Sequence, residues 1–193
     1  ISAMHYRGQH QAKIICLLLN LSNVNRILDV GGGSGAFTFE FLKTSNTIDA
    51  VIFDLPSIIP ITKKYVENSG YAGRIKLVEG DYLKDEFPGK FDLIFLSAIV
   101  HINSNEQNGI LIKKCFDALN SGGTLIIKDY IMNSERTEPS NGAVFALNML
   151  VNTQHGDTYT ENEMREWFTS AGFSKIEKKE TSFDSNLLIG IKD

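Results

Sequence analysis

The sequence predicts an α/β protein with a doubly wound, mostly parallel sheet of seven strands that ends in an antiparallel hairpin. Short apolar runs alternate with helical patterns along most of the 193 residues, which is typical of βαβ units. A glycine cluster, residues 31–35, directly follows the first apolar run, as at a strand-to-helix turn. The last two strand-like runs, 173–179 and 187–192, are joined by a link too short for a parallel crossover.

The predicted strands are apolar runs bounded by glycine, proline or aspartate. Those of the parallel region are expected at residues 26–30, 48–53, 74–79, 91–96 (with an apolar tail at 98–100) and 124–128. Asp54-Leu55-Pro56 stops the second strand, and Gly122-Gly123 is expected to break the chain before the fifth.

The predicted helices carry capping signals. They are expected at residues 36–43, at 60–68, from Ser104 to about Leu119, and from Thr160 to Gly172. Ser104 with Gln107, and Thr160 with Glu163, have the spacing of a capping box. The last helix has an apolar stripe that predicts core packing rather than a cofactor contact. Its members are Met164, Trp167, Phe168 and Ala171.

Composition excludes several classes of protein. The formal net charge is −4 and no Lys/Arg cluster occurs, which argues against a nucleic-acid partner. Cys16 and Cys115 fall in predicted helices and form no CxxC pair, so we expect no disulfide scaffold, no metal site and a cytoplasmic location. The apolar run 14–19 is too short to span a bilayer and precedes no small-residue cleavage site, so a buried helix is favoured over a signal peptide.

The glycine cluster is the strongest chemical signal, because glycines at such a turn let the backbone approach a ligand. Gly31, Gly33 and Gly35 fit GxGxG, while Gly31, Gly33 and Ala36 fit the dinucleotide pattern GxGxxG/A. A carboxylate at Asp54 could bind ribose hydroxyls of S-adenosylmethionine (SAM) or of a nicotinamide cofactor, or it could cap the next helix. The spacing alone leaves the ligand open.

Three features favour SAM. Asp29, just before the glycines, would help to hold the ammonium of SAM and would repel a pyrophosphate. Asp81 follows the third strand, where it could accept a hydrogen bond from an adenine amino group. The antiparallel C-terminal hairpin is foreign to a simple dinucleotide fold.

His101 is the sharpest catalytic candidate, because it follows the fourth strand at the sheet edge where open α/β sheets bind ligands. An imidazole there could take a proton from a hydroxyl group, and Asp129, at the end of the fifth strand, could orient it. A loop histidine bonded to backbone and a solvated carboxylate are the structural alternatives. His5, His10 and His155 lack such placement.

The chain resembles small-molecule O-methyltransferases of the caffeic acid, hydroxyindole and polyketide type, which are class I SAM methyltransferases with a Rossmann-like fold. The resemblance extends in family order over nearly the whole chain. Its segments are Leu28 to Gly35 (LDVGGGSG), Asp54-Leu55-Pro56, Gly80-Asp81, Ile99-Val100-His101, residues 122–127 (GGTLII), residues 161–173, and the lead-in Ala3-Met4.

The resemblance implies that Gly31 and Gly33 approach SAM, that Asp54 binds its ribose and that Asp81 contacts its adenine. His101 would be the general base, with Asp129 as the acidic residue beside it. The full set of predicted cofactor residues is Asp29, Gly31, Gly33, Gly35, Asp54, Leu55, Asp81 and Tyr82. A helix after Asp129 is expected to supply the substrate residues Phe145, Asn148, Met149 and Asn152.

The sequence departs from the family at three points. Ile102-Asn103 follows the histidine in place of Asp-Trp, and Thr158, with Asp157 beside it, stands where a second acidic residue is usual. We do not expect residues 1–193 to include the family's N-terminal helical domain, which dimerises and helps to close the substrate pocket. With a start at Ile1, we expect residues 1–193 to be an excised catalytic domain, 1–24 its leading helical segment, and a homodimer to form only with the N-terminal domain.

The sequence thus predicts an O-methyltransferase that moves a methyl group from SAM to a hydroxyl of a small molecule, with no membrane or nucleic-acid partner. Three alternatives stay open: N- or C-methylation of a small molecule, a SAM-binding domain without catalysis, and an NAD(P)-dependent oxidoreductase.

Overall fold

The computed structural model describes residues 2–193, and side chains from Met4 onward. Two features named above lie outside the described residues. They are Ile1, which led us to expect an excised domain, and the side chain of Ala3 in the lead-in. The helices are α1 (Ser2–Leu18), α2 (Ala36–Thr44), α3 (Ile59–Glu67), α4 (Asn105–Ala118), α5 (Ser140–Asn152) and α6 (Glu161–Ala171). The strands are β1 (Arg26–Val30), β2 (Asp49–Asp54), β3 (Ile75–Glu79), β4 (Phe91–Ser97), β5 (Leu119–Asp129), β6 (Ile131–Met132), β7 (Tyr159–Thr160), β8 (Lys175–Lys179) and β9 (Asn186–Ile191).

Seven strands form one sheet in the order β3-β2-β1-β4-β5-β9-β8. β2 pairs in parallel with β1 and β3, whereas β9 pairs antiparallel with both β5 and β8. The predicted fold class is therefore confirmed, including the C-terminal hairpin. A second, two-stranded parallel sheet, β6 with β7, was not predicted, because a strand of two residues leaves no periodic pattern.

One predicted boundary is wrong. Gly122-Gly123 does not break the chain, because β5 begins at Leu119 and continues through both glycines. The Gly122 N–H donates to the Lys192 carbonyl at 2.7 Å, and the Lys192 N–H donates to the Gly123 carbonyl at 2.9 Å. Pairing with the C-terminal end of the chain thus supplies a ladder that overrides the local weakness of glycine in a strand.

The contacts divide the chain into two compact units, the first ending at Phe95 and the second Leu96–Asp193. In the first unit the interiors of β1 and β2 are buried, as expected of parallel strands covered on both faces. The apolar run 14–19 begins within α1, where Ile15 is fully buried while Leu17 is 87% exposed. The guanidinium of Arg74 donates to the carbonyls of Leu42, Ser45 and Ile48, which fixes the end of α2.

In the second unit both predicted capping boxes are present, at Ser104 with Gln107 and at Thr160 with Glu163. The predicted stripe of α6 is buried throughout, and the Trp167 indole donates to Asn105 Oδ1 at 2.6 Å. None of the helices within residues 2–193 combines the length and the apolar composition needed to cross a bilayer.

Candidate functional site

The glycine loop connects β1 to α2 and is held from two sides. Gly31, Gly33 and Gly35 have φ angles of 65°, 55° and 75°, in the left-handed region that favours glycine. The Gly31 N–H donates to the Phe53 carbonyl at 2.7 Å, and the Gly33 N–H donates to Asp54 Oδ2 at 2.8 Å. Thr62 of α3 donates through Oγ1 to the Gly33 carbonyl at 2.5 Å.

The glycines of the loop serve different purposes. A Cβ at Gly32 would come within 2.8 Å of the Asp29 carboxyl carbon, and one at Gly35 would lie 3.0 Å from the Phe39 ring. Internal packing therefore favours glycine at both positions. A Cβ at Gly33 would meet nothing closer than the Gly31 carbonyl at 4.0 Å. The side-chain position of Gly33 is therefore open, so the loop has room there for another molecule to approach its backbone.

Asp54 ends β2 and is buried to 9% exposure. Its Oδ2 accepts from Gly33 N–H and its Oδ1 from Leu55 N–H, both at 2.8 Å. Burial raises the pKa of this carboxyl, and the two N–H donors oppose that rise. Each oxygen keeps a further lone pair for a ligand hydroxyl. Leu55 itself is 43% exposed.

Asp29 is only 2% exposed and lies beneath the loop, where Thr38 Oγ1 donates to its Oδ2 at 2.6 Å. Burial raises its pKa to about 7, and the neighbouring Asp54 charge adds to the rise while the Thr38 hydrogen bond opposes it. A carboxyl in this position can be neutral or charged near neutral pH, so a nearby ammonium would favour its charged form.

Asp81 and Tyr82 follow β3 and are both half-buried. The Gly80 N–H donates to the Asp54 carbonyl at 2.9 Å, which joins this turn to the end of β2. The Asp81 carboxylate accepts from Leu83 N–H at 3.0 Å and contacts Lys84 Nζ at 2.8 Å.

Two contacts on the glycine loop were not predicted from the sequence. His5 of α1 lies 2.8 Å from the Ser34 hydroxyl through Nδ1, and its ring stacks at a tilt on Tyr65 with centroids 4.5 Å apart. Thr62 is fully buried against the Gly33 carbonyl. Neither residue carries a local signal, because the partner of each lies 29 positions away in the chain.

The second unit contains the predicted catalytic pair. His101 lies on a short 3-10 turn, Val100–Ile102, after β4, and Asp129 ends β5. His101 Nδ1 lies 2.8 Å from Asp129 Oδ1 and 3.0 Å from Oδ2, with side chains only 12% and 3% exposed. A carboxylate on Nδ1 favours the tautomer that carries its proton there, which leaves Nε2 able to accept one.

The backbone of this turn is also well held. Ala98, with φ of 59°, donates through N–H to the Lys128 carbonyl at 3.1 Å. The Asn108 side chain donates through Nδ2 to the Val100 carbonyl at 2.9 Å, and its Oδ1 accepts from Asn103 Nδ2 at 3.0 Å. Asn103 is 2% exposed, whereas Ile102 is 43% exposed.

The four predicted substrate residues lie on α5 in different environments. The Phe145 ring packs edge-on against His101, with centroids 4.8 Å apart, and also contacts Tyr130. Met149 is buried. Asn148 and Asn152 are exposed, and Asn152 Nδ2 donates to Asn148 Oδ1 at 2.7 Å. Of the four, Phe145 is the one in ring contact with His101.

The chain matches a known protein family and several named methyltransferases. The profile of a family described as the O-methyltransferase domain matches residues 3–174. A 3-hydroxy-5-methyl-1-naphthoate 3-O-methyltransferase of Streptomyces sahachiroi is 33% identical over 165 residues, 86% of this chain and 48% of that protein. An L-tyrosine C(3)-methyltransferase of Streptomyces lavendulae is 30% identical over 168 residues, 86% of this chain and 45% of that protein.

A third relative has a solved structure. PigF of Serratia, named as an S-adenosyl-L-methionine-dependent methyl transferase, is 29% identical over 174 residues, 90% of this chain and 50% of that protein. Its structure with S-adenosylhomocysteine (SAH) superimposes with a TM-score of 0.85 at 28% identity, and covers 91% of this chain and 53% of that one.

The chain spans about half the length of the curated relatives it matches. The family, the fold class and SAM as the cofactor, all predicted from the sequence, agree with these relatives and are confirmed at the level of the family. By its sequence and its fold, this chain belongs to the O-methyltransferase domain family of SAM-dependent enzymes.

Proposed function

We propose that this protein transfers a methyl group from SAM to a hydroxyl group of a small molecule, with His101 as the general base. The observation that carries the proposal is the buried contact of His101 Nδ1 with Asp129 at 2.8 Å. SAM, when bound, supplies a methyl group on a positively charged sulfur that leaves as SAH.

The residues of this chain would serve that displacement in two ways. The open side of Gly33 and the carboxylate of Asp54 would hold the cofactor. His101 Nε2 would accept the hydroxyl proton as the acceptor oxygen bonds to the methyl carbon, while the carbon–sulfur bond breaks and its electron pair stays on sulfur. Asp129 would hold the ring and stabilise its positive charge. No metal is part of this mechanism.

A carbon acceptor is the second candidate, because one relative, 30% identical, is named an L-tyrosine C(3)-methyltransferase. Removal of a phenolic proton makes the neighbouring ring carbon nucleophilic, so the same base would serve either outcome. Analysis of the methylated product separates the two, since an ether and a carbon-bound methyl group have different NMR shifts.

We extend the proposal to the domain bounds, the other site residues, the location and the partners expected from the sequence. Residues 1–193 would form one catalytic domain with 1–24 as its leading segment, Leu55 and Tyr82 would line the cofactor, and Phe145, Asn148, Met149 and Asn152 would meet the acceptor. We propose a cytoplasmic protein with no membrane or nucleic-acid partner, which dimerises only with an N-terminal helical domain.

The experiment that tests the proposal combines binding with turnover. SAM, SAH and NADH are titrated by calorimetry, and methyl transfer from labelled SAM is screened on phenols and hydroxylated polyketides. Loss of a general base should lower turnover about 10²- to 10⁴-fold in His101→Ala with little change in SAM affinity. His10→Ala, at an exposed position of α1, is the matched control and should keep full turnover.

Three outcomes contradict the proposal. Binding of NADH but not SAM would favour the oxidoreductase alternative. SAM affinity without transfer to any acceptor would favour a binding domain without catalysis. Normal turnover in His101→Ala would assign proton removal to another group or to water, and would favour an amine acceptor.

A further inference from the structure

The backbone of His101 is contacted by the loop that joins α5 to β7, residues 153–158. The Asp157 N–H donates to the His101 carbonyl oxygen at 3.1 Å. Gly156 lies against the same oxygen, and a Cβ there would overlap with it, with Thr153 Oγ1 and closely approach Ile102 Cα. The loop therefore fits against the His101 turn only with glycine at this position.

Arg136 ties this loop to two other segments. Its Nη1 donates to Asp157 Oδ2 at 3.1 Å and to the Thr158 carbonyl at 2.5 Å, and its Nη2 donates to Glu163 Oε1 at 2.6 Å. Glu163 in turn accepts through Oε2 from Thr160 N–H, in the capping box of α6. Arg136 also has a left-handed backbone, with φ of 56°, which non-glycine residues adopt only where their surroundings impose it.

The other end of the loop is held by Thr153. Its Oγ1 accepts from Gly156 N–H and donates to the Met149 carbonyl, both at 2.7 Å. The loop is thus fixed to the end of α5 on one side and to Arg136 on the other. Between these anchors it presents Gly156 and the Asp157 N–H to the carbonyl of His101.

We propose that Arg136 is a positioning residue for His101 and acts through this loop. Its planar guanidinium holds Asp157 and Thr158 in one geometry, because its donors form a rigid fork. The loop then fixes the backbone of the 3-10 turn, and the turn fixes the distance from His101 Nδ1 to Asp129. The Asp157 carboxylate is engaged by Arg136, so the loop supports the histidine through its backbone rather than through a second carboxylate.

The test uses the imidazole itself as the reporter, so it needs no acceptor. In protein with ¹⁵N-labelled histidine and saturating SAH, the Nδ1 proton of His101 is assigned by its loss in His101→Gln. Arg136→Gln should shift this signal upfield and speed its exchange with water. Arg136→Lys should recover part of the wild-type signal, because one charged donor remains.

Arg165→Gln is the matched control. Arg165 is 36% exposed against 39% for Arg136, and it also binds a carboxylate and a carbonyl, those of Glu161 and Ile176, at 2.8 and 3.0 Å. Both of these partners lie outside residues 153–158, so the loss of Arg165 should leave the His101 signal unchanged. An unchanged signal in Arg136→Gln, or an equal change in Arg165→Gln, overturns the proposal.

If circular dichroism shows that Arg136→Gln does not fold, Gly156→Ala decides the question. It displaces the loop from the His101 carbonyl and leaves Arg136 unsubstituted. It should change the His101 signal in the same direction, and a wild-type signal overturns the proposal.

The effect on turnover rests on the proposed function. There Arg136→Gln should lower kcat about ten- to a hundredfold while the KM for SAM stays close to wild type, since misplacement of a reacting group by about 1 Å has effects of that size. A shifted His101 signal together with normal turnover in His101→Ala would keep the positioning role and reject His101 as the base. A wild-type signal would reject the positioning role whatever His101→Ala does.

Discussion

At the residue scale, two carboxyl groups of the first unit have different surroundings. Asp54 receives a backbone N–H on each oxygen, from Gly33 and Leu55. Asp29 receives the Thr38 hydroxyl in a position that is only 2% exposed, and burial raises its pKa to about 7. Charged hydrogen-bond partners or water stabilise a carboxylate, and Asp29 has little access to either.

This difference predicts a pH-dependent stability that Asp29→Asn removes. The pKa of Asp29 is about 7 in the folded protein and about 3.9 in an unfolded chain. The folded state therefore binds a proton that the unfolded state releases between about pH 4 and pH 7, so Asp29 makes stability fall as pH rises through that window. Asparagine keeps a carbonyl for Thr38 and does not titrate.

Urea unfolding of the two proteins at about pH 5 and about pH 8 measures this effect. The free energy of unfolding of the wild type should drop relative to Asp29→Asn as the pH is raised. Parallel pH profiles would mean that Asp29 keeps its ordinary pKa in the fold. Both proteins contain Asp54, so the difference between them reports the titration of Asp29 together with its charge coupling to Asp54.

At the scale of elements, the glycine loop, residues 31–35, contains both tightly packed positions and an open one. A Cβ at Gly32 or at Gly35 would come too close to neighbouring side chains, whereas the side-chain position of Gly33 is open. Asp54, at the end of β2, accepts from the Gly33 N–H. Thr62, within α3, donates to the Gly33 carbonyl. The loop is thus kept in a left-handed conformation that leaves its backbone free to meet a ligand.

Gly33→Ala should weaken SAM binding far more than it destabilises the fold. Gly70→Ala is the matched control, because Gly70 also has a positive φ, 78°, with nothing within 4 Å of a Cβ. Both changes should cost about 1–2 kcal/mol of stability from the left-handed backbone. Only Gly33→Ala should lower SAM affinity, about ten- to a hundredfold, the effect of a methyl group forced into a close contact.

Calorimetry with SAM and thermal unfolding of both variants make the comparison. Equal SAM affinity in the two variants would place the ligand away from the open side of Gly33. A larger loss of stability in Gly33→Ala would indicate a packing role there instead.

At the scale of the whole molecule, the predicted cofactor residues from Asp29 to Tyr82 all belong to the first unit. In this unit Asp54 and Phe53 accept hydrogen bonds from the amides of Gly31, Gly33, Leu55 and Gly80. A ligand that binds the folded state stabilises it by mass action, by about 2.7 kcal/mol at a hundredfold excess over Kd.

We therefore expect SAH to slow amide hydrogen exchange most strongly in residues 29–35, 54–62 and 80–83. Exchange measured by mass spectrometry with and without saturating SAH gives the result, and Gly33→Ala at the same SAH concentration is the control. Strongest protection outside the first unit would contradict the assignment of the cofactor residues.

Much of the fold follows from local sequence. The β1 boundaries, both capping boxes, the buried stripe of α6 and the C-terminal hairpin were all predicted, because each depends on residues within a turn or a strand of one another. The candidate residues Asp54, His101 and Asp129 were found by the same means, since each directly follows or ends an apolar run. Their roles in binding and catalysis remain predictions.

Tertiary structure alone decided the remaining features. β5 extends through Gly122-Gly123 because Lys192 pairs with it from the C-terminal end, and Thr62 reaches the Gly33 carbonyl across 29 positions. Arg136 meets Asp157 across 21 positions, and through that loop the chain supports the turn of His101. Local propensity and periodicity record how a segment folds, whereas the partner of a hydrogen bond between distant segments is set only when the chain packs.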